Sequence, residues 1–157
     1  MIKRIGAAFL AAGVLAGGPY DITLLSTPSA PAAHGTARLV SASSPFGIAV
    51  SPDGHARYDI VVKIAGLPAP ASLGAYHTYV AWAVTPDLND WTRLGVVSNG
   101  SSTVGVAEYN KFLLVITAES SAEATTHGGP TVLHGTSPSG WMQTFLAHPF
   151  FRGAPGK

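Results

Sequence analysis

Residues 76–87 read YHTYVAWAVTPD, and the alternation in this stretch decides the fold class. Tyr76, Thr78, Val80, Trp82 and Val84 fall on one face of an extended chain, because successive side chains of a strand point to opposite sides. Pro86-Asp87 then halts the run with turn chemistry. Upstream, Tyr58, Ile60, Val62 and Ile64 alternate with Asp59, Val61 and Lys63 in the same period of two. Residues 36–40, 46–50, 92–98, 102–108, 112–119 and 131–134 are further strand candidates. Pro52-Asp53-Gly54, Leu67-Pro68-Ala69-Pro70, Asn89-Asp90 and Gly128-Gly129-Pro130 punctuate them, and Asn99-Gly100 between two β-rich runs predicts a hairpin. About seven or eight short strands without intervening helices predict an all-β chain, an antiparallel β-sandwich.

Composition narrows the function classes. Of 157 residues, 11% are charged and 46% apolar, against about 25% charged in an average domain. Nine basic and eight acidic side chains leave a formal charge of +1 with no Lys/Arg run, so no nucleic-acid partner is expected, since such binding depends on neutralising phosphates. The absence of cysteine excludes disulfides, Cys-ligated metals and thiol nucleophiles. Internal repeats are not visible.

The N-terminus points to export. Lys3 and Arg4 precede an uncharged run at 5–18, IGAAFLAAGVLAGG, which has the form of a signal segment. As a helix it reaches about 21 Å, short of the roughly 30 Å of a hydrocarbon core. Val14-Leu15-Ala16 fits a cleavage site, Ala30-Pro31-Ala32 less well, and residues 19–25 extend the apolar run past Gly17-Gly18-Pro19 and Asp21. These features divide the chain into an export signal or uncleaved membrane anchor at 1–25, a Pro/Ala-rich linker at 26–35 (STPSAPAAHG), a sandwich at 36–135 and a tail at 136–157. The expected location is the periplasm or the extracytoplasmic face of a bacterial inner membrane.

Four stretches carry a family resemblance: 79–87 (YVAWAVTPD), Leu94-Gly95, 112–119 (FLLVITAE) and 129–135 (GPTVLHG). In this order they resemble the extracytoplasmic C-terminal domain of anti-sigma-K-type regulators, over about sixty residues from Tyr76 to Gly135. The resemblance implies a small periplasmic β-sandwich used for protein contact, without catalysis. Such regulators carry a cytoplasmic sigma-binding domain before their membrane helix, whereas here Met1 to Arg4 precede the apolar segment. The resemblance therefore extends to the module and not to the regulation.

Individual residues have readings of their own. Tyr79, Trp82 and Phe112 are expected in the structural core, with Trp82 packed between two sheets and its indole N–H seeking a carbonyl. Asp87 reads as a turn former capping backbone N–H groups, and Glu119 as a structural or solvated strand-end carboxylate rather than a catalytic one. Six histidines, at 34, 55, 77, 127, 134 and 148, show no H-E-x-x-H or H-x-H spacing. His77, His127 and His134 are nonetheless the candidate ligands for a type-2 copper or zinc site, against the alternative of scattered surface histidines. No G-x-S-x-G and no phosphate-cradling glycine loop occurs, so no catalytic residue and no cofactor is expected.

The C-terminal tail carries the strongest interaction signal. Trp141, Met142, Phe145, Leu146, Phe150 and Phe151 lie within eleven residues, with Ser139 placed to cap a short helix and Pro149 to end it. Either this tail folds back as a lid on its own sheet, or it docks onto another protein or the membrane interface. The favoured expectation is a non-catalytic exported accessory subunit of a larger membrane protein complex, for example a respiratory or photosynthetic one. The alternative is a small periplasmic ligand- or metal-binding module using surface histidines.

Overall fold

The computed structural model describes residues 20–41, 57–108 and 111–138. They form eight strands: β1 (Asp21–Ser26), β2 (His34–Ser41), β3 (Tyr58–Ala65), β4 (Thr78–Val84), β5 (Trp91–Val97), β6 (Gly100–Ala107), β7 (Leu113–Glu119) and β8 (Thr131–Thr136). A 3₁₀ turn at Pro70–Leu73 lies between β3 and β4. All neighbouring strands are antiparallel, in the spatial order β5-β4-β7-β8-β1-β2-β3-β6. The expected all-β antiparallel architecture is therefore present. Its shape is one eight-stranded sheet curled until its ends nearly meet, close to a barrel. The N-terminal signal or anchor helix, the 46–50 strand and the tail helix fall outside the described residues.

The curl rests on two local devices. β1 pairs with β2 through Asp21 to Leu24, and with β8 through Leu25 and Ser26, so one strand turns the corner between the two halves of the sheet. At the open edges, β5 and β6 lie against each other without a hydrogen-bonded ladder. Gly105 makes that seam possible, since a Cβ there would sit 2.9 Å from the Leu94 carbonyl oxygen. The expected hairpin at Asn99-Gly100 is corrected accordingly. The turn is a corner, with β5 paired to β4 and β6 to β3. Its geometry is set by the Asn99 side-chain amide, whose Oδ1 accepts from Leu67 N–H and whose Nδ2 donates to Leu67 C=O, both at 2.9 Å. Asn99 thus commits its amide to another loop rather than to closing its own.

The interior is filled by alternate residues of every strand. Ile22, Leu24, Ala37, Leu39, Ile60, Val62, Ile64, Tyr79, Leu114, Ile116 and Leu133 join Phe112 in one cluster, each below a tenth exposed. Fully burying a Leu or Ile side chain contributes about 1.5–3 kcal/mol, so this cluster is the main source of stability. The Tyr79 hydroxyl donates to Pro68 C=O at 2.9 Å, and burial pushes its pKa up.

The domain boundaries expected from sequence change at the N-terminal side. The 26–35 stretch is a folded connection rather than a linker. Thr27 N–H donates to Val132 C=O, Ala30 and Ala33 are buried, and β2 begins at His34. Residues 21–25 are likewise an interior strand of the sheet rather than the end of a signal. The letters conceal this because Leu25, 56% exposed beside buried Leu24, makes an amphipathic strand look like the continuation of an apolar run.

Both features of the N-terminal half can be tested. A chain trimmed to begin at residue 19 should retain a cooperative thermal transition, whereas one beginning at residue 33, as processing at Ala30-Pro31-Ala32 would leave it, loses β1 and should show none by circular dichroism. Asn99→Ala should lower unfolding free energy by about 1–3 kcal/mol in urea titration, because it leaves two backbone groups of Leu67 without their partner.

Candidate functional site

Strands β4 and β7 have apolar residues on both faces, which requires a cover on the side away from the main core. On that outer side Val80, Trp82, Val84 and Val115 form a second buried cluster, with Trp91 and Leu113 packed against it. Trp82 therefore lies under a cover on the outer face and not between two sheets, a correction that strand parity explains, since Tyr79, Ala81 and Ala83 take the inner face. The segment 120–130 and Trp91 supply the cover. His127 stacks on Trp91, with centroids 3.6 Å apart and planes 20° apart, and both rings meet Trp82 edge-on at 6.3 Å. Arg93 Nη2 donates to Ala122 C=O at 2.6 Å and pins the other part of the segment.

A polar relay runs beneath this cover. Trp82 Nε1–H donates to Thr117 Oγ1 at 2.8 Å, and Thr117 Oγ1–H donates to Glu119 Oε1 at 2.5 Å. The same Glu119 oxygen accepts from the N–H groups of Gly128 at 3.1 Å and Gly129 at 3.5 Å. Glu119 is 4% exposed, and its partners within the relay account for that burial. The indole finds a hydroxyl where a carbonyl was expected. Gly129 can be no larger, because a Cβ there would lie 1.6 Å from Ala118 C=O. These contacts make Glu119 an anchor for the covering segment, the structural member of the two readings drawn from sequence.

The β4–β5 loop is built as its letters suggest. Leu88 N–H donates to Thr85 C=O, Asp90 N–H donates to Thr85 Oγ1 at 3.1 Å, and Leu88 adopts φ 62°, the left-handed conformation. Asn89 donates to Asp87 through both its backbone and its side-chain N–H. Bonds from Thr85 and then Asn89 hold the Asp87 carboxyl below its usual range. Trp91 Nε1–H donates to Leu88 C=O at 3.1 Å, joining this loop to the aromatic cover.

The three candidate histidine ligands are not assembled. His77 lies ahead of β4 with its backbone N–H on Glu119 C=O, His127 is stacked on Trp91, and His134 is exposed on β8 opposite Val115. Among the described residues no three His, Cys, Asp or Glu side chains form a group able to hold a metal ion. The six tail residues, Trp141, Met142, Phe145, Leu146, Phe150 and Phe151, lie outside the described residues.

Two features of the fold go beyond the residues that sequence singles out. Thr117 is a hydroxyl inside the otherwise apolar run LLVITA, a signal that a buried donor is nearby. The other is an open, largely apolar cleft of about 710 Å³ at the far end of β1, β2, β3 and β6, lined among others by Leu25, His34, Lys63 and Ser101. Its residues are spread over four strands, so only the register brings them together.

Thr117→Val keeps the shape of the side chain but leaves the Trp82 indole N–H without its acceptor and removes one of the donors to Glu119, and should cost about 1–3 kcal/mol in urea unfolding. Asp87 has a distinct pH signature. Its lowered pKa adds stability that is full above the ordinary aspartate pKa of about 3.9 and is lost as pH falls through the lowered value. Asp87→Asn should therefore reduce stability at neutral pH and flatten its fall below about pH 4, read from thermal melts across pH.

No family model, curated protein or solved structure matches this chain, and nothing in these comparisons identifies an anti-sigma-type domain.

Proposed function

We propose that the chain is a non-catalytic exported accessory subunit, which stabilises a larger membrane protein complex through contacts made at one end of its barrel. The observation that carries this reading is that the first strand begins and the last strand ends at one pole of the barrel. β1 begins beside Arg38, near the end of β2, and β8 ends opposite the start of β7. The registers put the starts of β1, β3, β5 and β7 and the ends of β2, β4, β6 and β8 at that one end. The apolar segment before Tyr20 and the aromatic segment after Pro138 therefore continue from the same end of the molecule. A tethered domain that also docks through its tail needs that arrangement, because anchor and dock must reach one membrane or one partner.

The chemistry of the described residues is consistent with a binding role. The buried carboxylate is engaged with Thr117, Gly128 and Gly129. Among the described residues no helix is long and apolar enough to cross a membrane, so attachment on this reading falls to residues 1–19 and to the tail. The sandwich-like module of the anti-sigma-K-type regulators, also a protein-contact domain, offers a parallel on the residues quoted from 79 to 135.

Replacing Trp141, Phe145, Phe150 and Phe151 together by serine should release the protein from its native membrane complex, while the thermal transition of the purified domain is retained, because on this reading the tail packs on the partner and not on the domain's own sheet. Recovery of the unaltered chain solely as a soluble extracytoplasmic monomer would overturn the proposal.

A further inference from the structure

The end of the barrel opposite the start of β1 and the end of β8 carries the open cleft, and its chemistry is specific. β1, β2, β3 and β6 set Thr23 opposite Thr36, Thr36 opposite Lys63 and Lys63 opposite Ser101, so three hydroxyls and one ammonium form a row across four strands. All four residues line the cleft. Beside the row, Leu25 (56% exposed) and Ala65 supply apolar surface, and His34 turns its Nδ1 to Ala32 C=O at 3.1 Å. Arg38, farther along β2, is matched by Asp21 at 2.8 Å, whereas among the described residues no acidic group is paired with Lys63. The cleft volume of about 710 Å³ falls inside the roughly 300–1,000 Å³ of small-molecule sites, which typically combine apolar walls with a few polar groups.

We propose that this cleft binds a small amphipathic carboxylate, an alkyl chain on Leu25 and Ala65 with its head group on Lys63 and the neighbouring Thr36 and Ser101 hydroxyls. A cation is disfavoured by Lys63. A neutral alkyl ligand would gain the apolar contact but leave the ammonium unmatched. This site is independent of the docking end, since it lies at the opposite pole and uses none of the tail residues.

The test uses the full chain with submicellar decanoate, decan-1-ol and decylamine, followed by amide chemical shifts in two-dimensional NMR. Decanoate should bind saturably, with the largest shifts at Leu25, Lys63 and Ser101, and more tightly than decylamine. Lys63→Gln should weaken decanoate about fivefold, the size that an exposed charge pair allows, and leave decan-1-ol unchanged. Leu25→Glu, on an exposed outward position, should weaken decanoate and decan-1-ol alike by replacing the apolar wall that holds the alkyl chain with a charge. Absence of saturable shifts, shifts centred on Trp91 and His127 instead, or equal decanoate affinity in the Lys63→Gln protein would each overturn the proposal.

Discussion

Two residue pairs, Leu25 with His134 and Ser26 with Leu133, join the β1 strand to β8, while the preceding four residues of β1 pair with β2. This single strand is the hinge on which the curled sheet depends. Without it no hydrogen-bonded ladder would join the β5-β4-β7-β8 half to the β2-β3-β6 half, since the seam between β5 and β6 is packed rather than paired. Ile22 and Leu24, 1% and 2% exposed, then fix the register of β1, because a slip of one residue would turn both toward solvent. The interior therefore rests on β1. Any processing of the N-terminus must leave β1 intact from Asp21 onward.

A second constraint acts on the other half. Burying both faces of β4 and β7 gives these strands continuous apolar character, but a single curled sheet has only one inside. The outer face is closed by a segment with little regular structure, which needs anchors. Glu119 supplies one through two glycine N–H groups, and Arg93 another through Ala122 C=O. The aromatic trio of Trp82, Trp91 and His127 fills the space between. A carboxylate held in this way stabilises by being matched, and removing one partner costs more than the pair contributes.

The strands from Tyr58 onward were legible because their alternation is regular and their ends carry Pro, Gly, Asn and Asp. β1 was not, since the same letters serve an apolar leader and an amphipathic strand, and only a partner strand on each side distinguishes them. The Ser26–Gly35 letters misled for a similar reason. Proline and alanine mark extended chain in solution, yet Ala30 and Ala33 are small enough to be buried when a tight connection folds onto β8 and β3. The relay was half legible. Glu119 and Trp82 stood out, but Thr117 joins them only because β4 and β7 are neighbours. In the same way the spacing of His77, His127 and His134 left open a meeting that the strand positions do not provide.

By itself the sequence determined the period-two pattern, and with it an antiparallel all-β chain, because alternation is a local property of side chains on an extended backbone. It also determined the low charge and the absence of thiols, which bound the chemistry without any fold. Tertiary structure decided which face of each strand is inside, that Asn99-Gly100 is a corner, and that Thr23, Thr36, Lys63 and Ser101 form one row. Those outcomes depend on pairing between residues far apart in the chain, and the free energy of such pairing is set by the partner strand rather than by the letters on either side.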